Sequence, residues 1–460
     1  MRTGCLTLLV AAIASIASAQ TSSPHDRLAR EIYQELVNID TSPKAGTTRA
    51  AQAMAKRLLD AGFPAGDVHV LGGAPDQHNL VARLRGTGAE QPILLLAHLD
   101  VVEARKEDWS VDPFTFQEKD GYFYGRGTTD DKAQAAIWVA TLIRFKQEGF
   151  TPRRDLVVAL TADEEGWGPV NGVDWLLKNH RALIDAEYCI NEGGGGQIKN
   201  GRRVLNEVQA AEKHYATFRI EARNKGGHSS LPVRDNAIYS LAAALGKLAG
   251  YDFPVRLTEV TKAFFGRTAA LVGGQDGADM KAVTESVEPD PAAVARLSRT
   301  ALYNAMLRTT CIATMLEAGH AENALPQMAR ATVNCRVIPG EKPSDVQRTL
   351  ERVIGDPALR VSAVTDYPPS PVSPLRPDLL QTVERVTAEM WPGVPVVPVM
   401  ATGGTDGVFL RIAGIPTYGI SGLFEDIDDV RAHGRDERLG VQAFYEGREF
   451  LYRLVKALAR

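Results

Sequence analysis

Acidic and histidine side chains stand where several apolar runs of this 460-residue chain end. The run LLLAHLDVV carries His98 and Asp100, and alone it is equally compatible with a histidine satisfied internally and with a ligand site. Each acidic pair taken singly would more often be a solvated turn, so the set is judged together. The other members are Asp130 and Asp131 in GRGTTDDK, Glu164 and Glu165 in ADEEGWG, Glu192 in INEGGGG, and His433 in AHGRDERLG.

The donor types in this set favour a metal centre. Two histidines with several carboxylates and no thiolate suit zinc or a similar divalent ion. Because the donors outnumber the ligands of one tetrahedral site, we expect two ions that share a carboxylate bridge. Such a centre also needs a general base for the attacking water, and of the adjacent Glu164 and Glu165 one can bind metal while the other acts as the base.

The elements that must position these residues alternate between strands and helices. Strand-like runs end in QPILLLAHL, DLVVALTADEE and AEYCINEGGGG, and helical patterns lie between them at residues 133–147 and in VNGVDWLLKNH. This alternation predicts an α/β fold with a mostly parallel sheet covered by helices on both faces. The carboxyl ends of parallel strands meet at one edge of a sheet, where ligands bind, so we expect the acidic and histidine residues to converge there.

The pattern changes near residue 213, where strand, helix, strand, strand, helix, strand form a compact α+β unit of the ferredoxin-like βαββαβ type. Because the sheet pattern returns at VPVVPVM, we expect this unit, residues 213–365, to be inserted into a catalytic domain made of residues 20–212 and 366–460. Within the unit, the polar stretch 254–306 is long enough to form helices of its own.

The first residues of the chain indicate that the protein is exported. Residues 1–19 contain one early positive charge, an apolar stretch and a small-residue end, the pattern of a cleaved signal peptide. We therefore expect a periplasmic or secreted protein that is not held at a membrane after cleavage.

A formal net charge of −4 without a run of Lys and Arg argues against a nucleic-acid partner.

The cysteines of the mature chain, Cys189, Cys311 and Cys335, are odd in number, so at least one thiol must be free. None has CxxC spacing, which excludes a zinc ribbon. Cys189 and Cys335 lie in strand-like runs, and we expect both to be small buried apolar residues with no disulfide framework holding the fold.

Seven motifs occur in the order in which a known family has them: HLDVV, GRGTTDDK, DEEGWG, NEGGG, GGHSSLP, ENALPQMARATVNCRVIPG and AHGRDER. The chain resembles the zinc-dependent aminoacylase and carboxypeptidase family of two-metal peptidases, which includes glutamate carboxypeptidase, peptidase V-like dipeptidases and beta-alanine synthase. The resemblance implies hydrolysis of an amide bond next to a free α-carboxylate, in a small peptide or an N-acyl amino acid.

The resemblance favours a carboxypeptidase or dipeptidase, with an N-acyl-amino-acid amidohydrolase as the alternative. Two rivals fit less well. A two-zinc aminopeptidase lacks the inserted domain with GGHSS, and a secreted binding protein that had lost catalysis would be expected to have lost Glu164. Glu192 stands where many relatives have aspartate, and a glutamate there is typical of peptidase-like members.

The resemblance also implies roles for individual residues. Glu164 would be the general base, and Asp100 would accept the second ring proton of His98. Two zinc ions are implied, with Co²⁺ or Mn²⁺ as substitutes. The two sites would share a bridging aspartate and consist of His98, Asp130 and Glu192, and of Asp130, Glu165 and His433.

The inserted domain would close over the metal edge as a lid. There His228 would stabilise the developing oxyanion, although a histidine after two glycines could instead cap a helix. Asn323 and Arg336 would bind the substrate carboxylate with a backbone donor from Gly404, although Arg336 could instead form a strand-edge ion pair. A homodimer through the lid is expected, but the length of the 254–306 stretch leaves dimerisation open. The sequence also leaves open whether His228 acts in its own subunit or in a neighbouring one.

Overall fold

A computed structural model describes residues 23–166, 170–286, 288–364 and 369–460. The expected signal peptide at residues 1–19 and the expected domain boundary at residue 365 lie outside these residues. Among the described residues, no helix combines the length and the apolar character that crossing a membrane requires.

The helices and strands follow the predicted alternation. The helices are α1 (Pro24–Asn38), α2 (Thr48–Asp60), α3 (Lys132–Gln147), α4 (Gly172–Asn179), α5 (Arg181–Ile184), α6 (Ala237–Ala249), α7 (Glu259–Val272), α8 (Gly274–Glu285), α9 (Pro291–Leu297), α10 (Ala301–Leu307), α11 (Pro343–Ile354), α12 (Pro377–Met390), α13 (Gly407–Ile412) and α14 (Val441–Leu458). The strands are β1 (Val68–Ala74), β2 (Gln77–Leu84), β3 (Ile93–His98), β4 (Gln117–Lys119), β5 (Tyr122–Tyr124), β6 (Leu156–Thr161), β7 (Tyr188–Asn191), β8 (Gly196–Lys199), β9 (Arg202–Glu212), β10 (His214–Arg223), β11 (Gly227–His228), β12 (Thr310–Ala318), β13 (Ala324–Leu325), β14 (Met328–Val337), β15 (Leu359–Ala363), β16 (Val396–Ala401), β17 (Thr417–Gly419), β18 (Phe424–Asp426) and β19 (Arg438–Gly440).

The large sheet has ten strands in the order β1-β2-β6-β3-β7-β17-β9-β8-β18, with β16 paired to β9. Its centre, β6-β3-β7-β17, is parallel as predicted, whereas β1, β2 and β9 join it in antiparallel pairs, so the sheet is mixed. All residues of β3 and β6 are buried because helices cover both faces. Helix α3, packed beneath α1 and α14, is buried over almost its whole surface.

The inserted unit forms a separate antiparallel sheet in the order β12-β14-β10-β15. Helices α6 and α11 cover one of its faces, and alternate residues of β14 are buried against them. In chain order the unit is βαββαβ, and its strand order is that of the predicted ferredoxin-like arrangement.

The stretch 254–306 forms α7, α8, α9 and α10. Helix α7 packs on β16 of the large sheet, and Phe264 and Phe265 belong to the core of that sheet. In the sequence these helices therefore lie within the inserted unit, but their apolar side chains pack into the core of the large sheet.

The expectation for Cys335 is wrong. Cys335 lies directly opposite Cys311 in the β12–β14 ladder, and the two form a disulfide. Opposite residues of neighbouring antiparallel strands have Cβ atoms close enough to be bridged, but this register cannot be read from a separation of 24 residues in the sequence. Cys189 is a buried free thiol, as expected.

Candidate metal centre and active site

Three neighbouring parallel strands bring the predicted residues to one edge of the large sheet. Strand β3 ends at His98, strand β7 is followed by Glu192, and strand β6 leads into the turn with Glu164 and Glu165. His98 is buried, and its Nε2 lies 2.8 Å from Oδ1 of Asp130 and 3.9 Å from Oε1 of Glu192. The parallel pairing thus accounts for the convergence that the sequence predicts.

Asp130 directs its two carboxylate oxygens at two different histidines. Oδ1 faces His98 at 2.8 Å, and Oδ2 lies 3.1 Å from Nε2 of His433. The same nitrogen of His433 is 3.0 Å from Oε1 of Glu165. Two ligands of one tetrahedral zinc lie about 3.3 Å apart, since each is roughly 2.0–2.1 Å from the metal. The donor set therefore fits two metal ions on either side of Asp130.

Glu164 also belongs to this cluster. One carboxylate oxygen of Glu164 and one ligand atom each of His98 and Glu192 all lie within 4.8 Å of one another. The same holds for one ligand atom each of His98, Asp130 and Glu165. Glu164 is thus close enough to act on a water between the ions, and the distances equally allow it to be a ligand.

The electrostatics of the cluster favour a cation. Burial raises the pKa of Glu164 and of Glu192 well above the ordinary range, and burial with Asp130 raises that of Glu165 to about 7. Asp130 is the exception: although burial opposes it, hydrogen bonds to His433 and His98 hold its pKa below the usual range. Several acids that cannot all ionise together without a positive charge are what a divalent ion would neutralise.

Asp100 differs from its expected role. The Nδ1 of His98 donates to the main-chain oxygen of Asp100 at 2.9 Å, whereas the carboxylate is 3.7 Å away. A carbonyl only accepts, so in the neutral ring Nδ1 carries the proton and Nε2 is free to bind metal. The Asp100 carboxylate instead accepts the main-chain N–H groups of Glu164, at 3.2 Å, and Glu165, at 3.0 Å. It therefore holds the turn that carries the proposed base.

Glu437 is a site residue that the sequence did not reveal. Its side chain is fully buried and accepts main-chain N–H groups from Gly127 at 3.0 Å, Thr129 at 2.7 Å and Asp130 at 3.2 Å. It also accepts the Thr129 hydroxyl at 3.0 Å and Nη1 of Arg126 at 2.7 Å. One carboxylate thus fixes the loop that ends in Asp130.

Arg126 connects the same carboxylate to the second histidine. Its Nη2 donates to the main-chain oxygens of His433, at 3.4 Å, and Gly434, at 2.9 Å. The guanidinium also lies over the ring of Trp109 at 4.9 Å. We call Arg126 and Glu437 the buried clamp, because together they hold the Asp130 loop against the His433 loop. In the sequence, Glu437 is only one more charge in AHGRDER, and its burial has no local signal.

A cavity of about 230 Å³ opens beside the cluster and is lined by Glu164, Gly404 and Tyr215, among others. The structure thus places Gly404 and Glu164 in the lining of one cavity. Arg336 adjoins this cavity only through Tyr215, since its guanidinium lies 4.9 Å above that ring, and it lines a second cavity of about 660 Å³ together with Thr310. Among the described residues no acid forms an ion pair with Arg336, so the alternative of a strand-edge ion pair finds no partner there.

His228 and Asn323 lie together in the inserted unit. Ser229 donates its main-chain N–H to the oxygen of Asn323 at 3.0 Å, and His228 is exposed, with its Nδ1 accepting from the N–H of Ser230 at 3.2 Å. No hydrogen bond or ion pair in the described parts of the chain joins His228 to the metal cluster. His228 does not cap α6 either, because the capping residue there is Asn236.

Comparisons with known proteins identify the family of the chain. The family model described as Peptidase family M20/M25/M40 matches residues 94–457. Human N-fatty-acyl-amino acid synthase/hydrolase PM20D1 is 29% identical over 379 residues, which cover 80% of this chain and 74% of that protein. Probable carboxypeptidase S-like 2 of Dictyostelium discoideum is 29% identical over 376 residues, 80% of this chain and 71% of that protein.

Among solved structures, the M20 family metallo-carboxypeptidase Sso-CP2 from Sulfolobus solfataricus superposes with a TM-score of 0.70. The match covers 93% of this chain and 98% of that chain at 18% identity, so it shows the shared fold. The family match itself spans most of the sequence, from β3 to α14. The chain therefore belongs to peptidase family M20/M25/M40 and is a peptidase or amidohydrolase of that family, as its ordered motifs predict.

Proposed function

We propose that the protein hydrolyses an amide bond next to a free α-carboxylate, in a small peptide or an N-acyl amino acid, with two zinc ions bound at the His98–Asp130–His433 edge. One observation carries the proposal: the two oxygens of Asp130 lie 2.8 Å from His98 and 3.1 Å from His433, as a bridging ligand requires. Co²⁺ or Mn²⁺ would be accepted as substitutes because oxygen and imidazole donors suit them too.

In this proposal the ligands divide as the resemblance implies. When bound, the two ions would lower the pKa of the attacking water and polarise the scissile carbonyl. Asp130 is the shared ligand, and each ion takes one histidine. The terminal ligands are His98 with Glu192 at one ion and His433 with Glu165 at the other.

Glu164 is the proposed general base. Its partly buried carboxyl group has a raised pKa, which suits a group that accepts a proton from water and returns it to the leaving amine. The N–H of Glu164 is held by Asp100, which keeps the carboxylate on the cavity side of the cluster. His228 would contribute to the oxyanion site only after the inserted unit moves toward the metal edge, a lid closure that completes the site.

The α-carboxylate is assigned to Arg336, with Gly404 and Asn323 as further contacts. Arg336 forms no ion pair with an acid among the described residues, and its guanidinium lies over Tyr215, which lines the same cavity as Glu164. A guanidinium can hold a carboxylate by two parallel hydrogen bonds. We place peptides first and N-acyl amino acids second; the carboxypeptidase S-like relative supports the former, and the N-fatty-acyl-amino acid hydrolase relative supports the latter.

Export to the periplasm or outside the cell, and dimerisation through the inserted unit, are also proposed. The edge strand β12 supports a dimer, since Ile312, Met315 and Leu316 are each more than two-thirds exposed, at 68%, 68% and 69%. A second copy pairing there would cover them. Light scattering of wild type and a Met315→Lys variant tests this, and a wild-type monomer at micromolar concentration would contradict it.

The function itself is tested with a panel of dipeptides, longer peptides and N-acyl amino acids, each compared with its carboxyl-terminal amide. The metal content of the purified protein is measured first, and chelated protein serves as the control. Turnover that needs metal and a free carboxylate is expected. Full metal loading with no turnover of any member would contradict the proposal.

A further inference from the structure

Lys213 is a buried cation at the junction of the two sheets. It lies between β9 of the large sheet and β10 of the inserted unit, and it is 1% exposed. Its main-chain N–H donates to the oxygen of Ala401 at 2.9 Å, which anchors the backbone to β16. Burying an ammonium group is costly unless an opposite charge compensates it, so the surroundings of Nζ decide what the residue does.

The ammonium group has no acidic partner in the part of the chain that the structure describes. Nζ donates to the hydroxyl of Thr310 at 3.1 Å, and Glu341 acts on it only from beyond ion-pair distance. Burial, together with the nearby positive charge of Arg336, lowers the pKa of Lys213 to about 7. The fold thus places a second basic group beside Arg336, and among the described residues only Glu341, beyond ion-pair distance, acts on Lys213 as a negative charge.

The ladder explains why these two cations are neighbours. Arg336 lies opposite Tyr215 on one side and opposite Thr310 on the other. Tyr215 stacks with the Arg336 guanidinium, and Thr310 binds the Lys213 ammonium. Both positive charges therefore sit at the same end of the inserted sheet, at the end that adjoins the catalytic sheet.

The cavity of about 230 Å³ extends from Glu164 to Lys213. The remaining lining includes the apolar side chains Val408, Phe409 and Ile412. Sites for whole small molecules are usually larger, roughly 300–1,000 Å³, so this cavity suits one part of a substrate. Its lining thus combines the proposed base, Lys213 and three apolar side chains, and Arg336 adjoins it through Tyr215.

We propose that Lys213 is a substrate-binding residue that holds the carboxylate of the leaving amino acid jointly with Arg336, while the wall of Val408, Phe409 and Ile412 receives an apolar side chain of that amino acid. This inference rests on the proposed function, because it places the leaving group of that reaction in the cavity. The preferred substrates are then peptides or N-acyl amino acids that end in leucine, phenylalanine or a similar residue.

The test uses the metal-loaded full chain with N-acetyl-leucine, N-acetyl-phenylalanine, N-acetyl-aspartate and the amides of the first two. The variant is Lys213→Met, which keeps the length of the side chain and removes its charge. The matched control is Lys262→Met, since Lys262 is an exposed lysine on α7. Thr310→Val is a second, milder variant that removes the hydroxyl orienting Nζ.

We expect Lys213→Met to lower the ratio of kcat/KM for the acid to kcat/KM for the amide by about tenfold to a hundredfold, the usual effect of losing one charged hydrogen bond. The change should come mainly from KM, with metal content unchanged. Thr310→Val should lower the ratio less, and Lys262→Met not at all. An unchanged ratio in Lys213→Met, or faster turnover of N-acetyl-aspartate than of N-acetyl-leucine, would overturn the assignment.

A binding measurement separates this inference from the proposed function. Glu164→Gln protein, with and without Lys213→Met, is titrated with N-acetyl-leucine by calorimetry. Weaker binding by tenfold or more in the double variant supports Lys213 even if wild type hydrolyses none of the panel, in which case only the proposed reaction fails. Equal affinity in the two proteins refutes the role of Lys213 even if hydrolysis is observed.

Discussion

Replacing Glu437 by glutamine should weaken both the fold and the metal centre. The change keeps the shape of the side chain but turns one acceptor oxygen into an N–H₂ group. Each oxygen of Glu437 now accepts at least two donors: Oε1 from Thr129 and Asp130, and Oε2 from Arg126 and Gly127. Whichever oxygen is replaced, two N–H donors must face another donor in a buried place.

The cost follows from the burial of the ion pair. The side chains of Arg126 and Glu437 are 3% and 0% exposed, and breaking a buried pair by removing one charge destabilises a protein by about 3–5 kcal/mol. The control is Glu118→Gln, which breaks an exposed pair with Arg30 and should cost about 0–1 kcal/mol. Urea unfolding of the chelated proteins measures both free energies of unfolding.

The metal should also be bound more weakly, because Asp130 and His433 are held by the buried clamp. Loss of a residue that orients a ligand commonly lowers metal affinity by about 10–100-fold. Competition with a chromophoric chelator measures this, and Glu118→Gln should bind metal like wild type. A Glu437→Met/Arg126→Met variant sharpens the test: it should recover part of the stability but not the affinity, since two apolar groups can pack without aligning the loops. Glu437→Gln with wild-type unfolding and wild-type metal affinity would refute the clamp.

Three further outcomes are expected. Glu164→Gln should lose about 10²–10⁴-fold in kcat while retaining both metal ions, as measured by kinetics with elemental analysis; loss of a metal ion would instead make Glu164 a ligand. The pKa of Glu165 is about 7 in the folded chelated protein and lower in the unfolded protein, so the folded state binds more protons between about pH 4.5 and 7. The free energy of unfolding of the chelated protein should therefore fall as the pH rises through this range, as measured by urea titrations at pH 5 and 7.5. Metal affinity should rise over the same range, as measured by chelator titrations at the same two pH values. An absence of both trends would contradict the burial of Glu165. Cys311→Ser/Cys335→Ser should cost about 2–4 kcal/mol of stability, measured by urea unfolding against reduced and oxidised wild type, and an unchanged midpoint would argue against the disulfide.

The convergence of the acidic and histidine residues at one edge of the sheet was predictable because each residue carries a local signal in the sequence. A carboxylate or histidine at the end of an apolar run is easily recognised in the sequence. The carboxyl ends of parallel strands lie at one edge of the sheet, so these side chains must lie there too. His98, Glu192 and the Glu164–Glu165 turn follow β3, β7 and β6 in this way. The βαββαβ unit was predictable for a similar reason, since both periodicities are visible in short windows.

What escaped prediction depends on pairings between distant segments. Whether Cys335 faces Cys311 is set by the register of β12 against β14, including a register shift between residues 313 and 315. The role of Asp100 depends on which donors the Glu164–Glu165 turn presents to it. The burial of Glu437 arises only when the Asp130 loop closes over it, so its own neighbours in the sequence look like an ordinary charged turn.

The buried clamp joins residues 311 positions apart in the chain. In the proposed centre the ligands of one metal ion, His98, Asp130 and Glu192, lie within the first 192 residues, whereas His433 and Glu437 lie within the last 30. A chain still being synthesised, or one clipped before residue 433, would lack His433 and Glu437, and we expect it to hydrolyse no substrate. The proposed activity would therefore arise only after the last 30 residues have folded against the first 192.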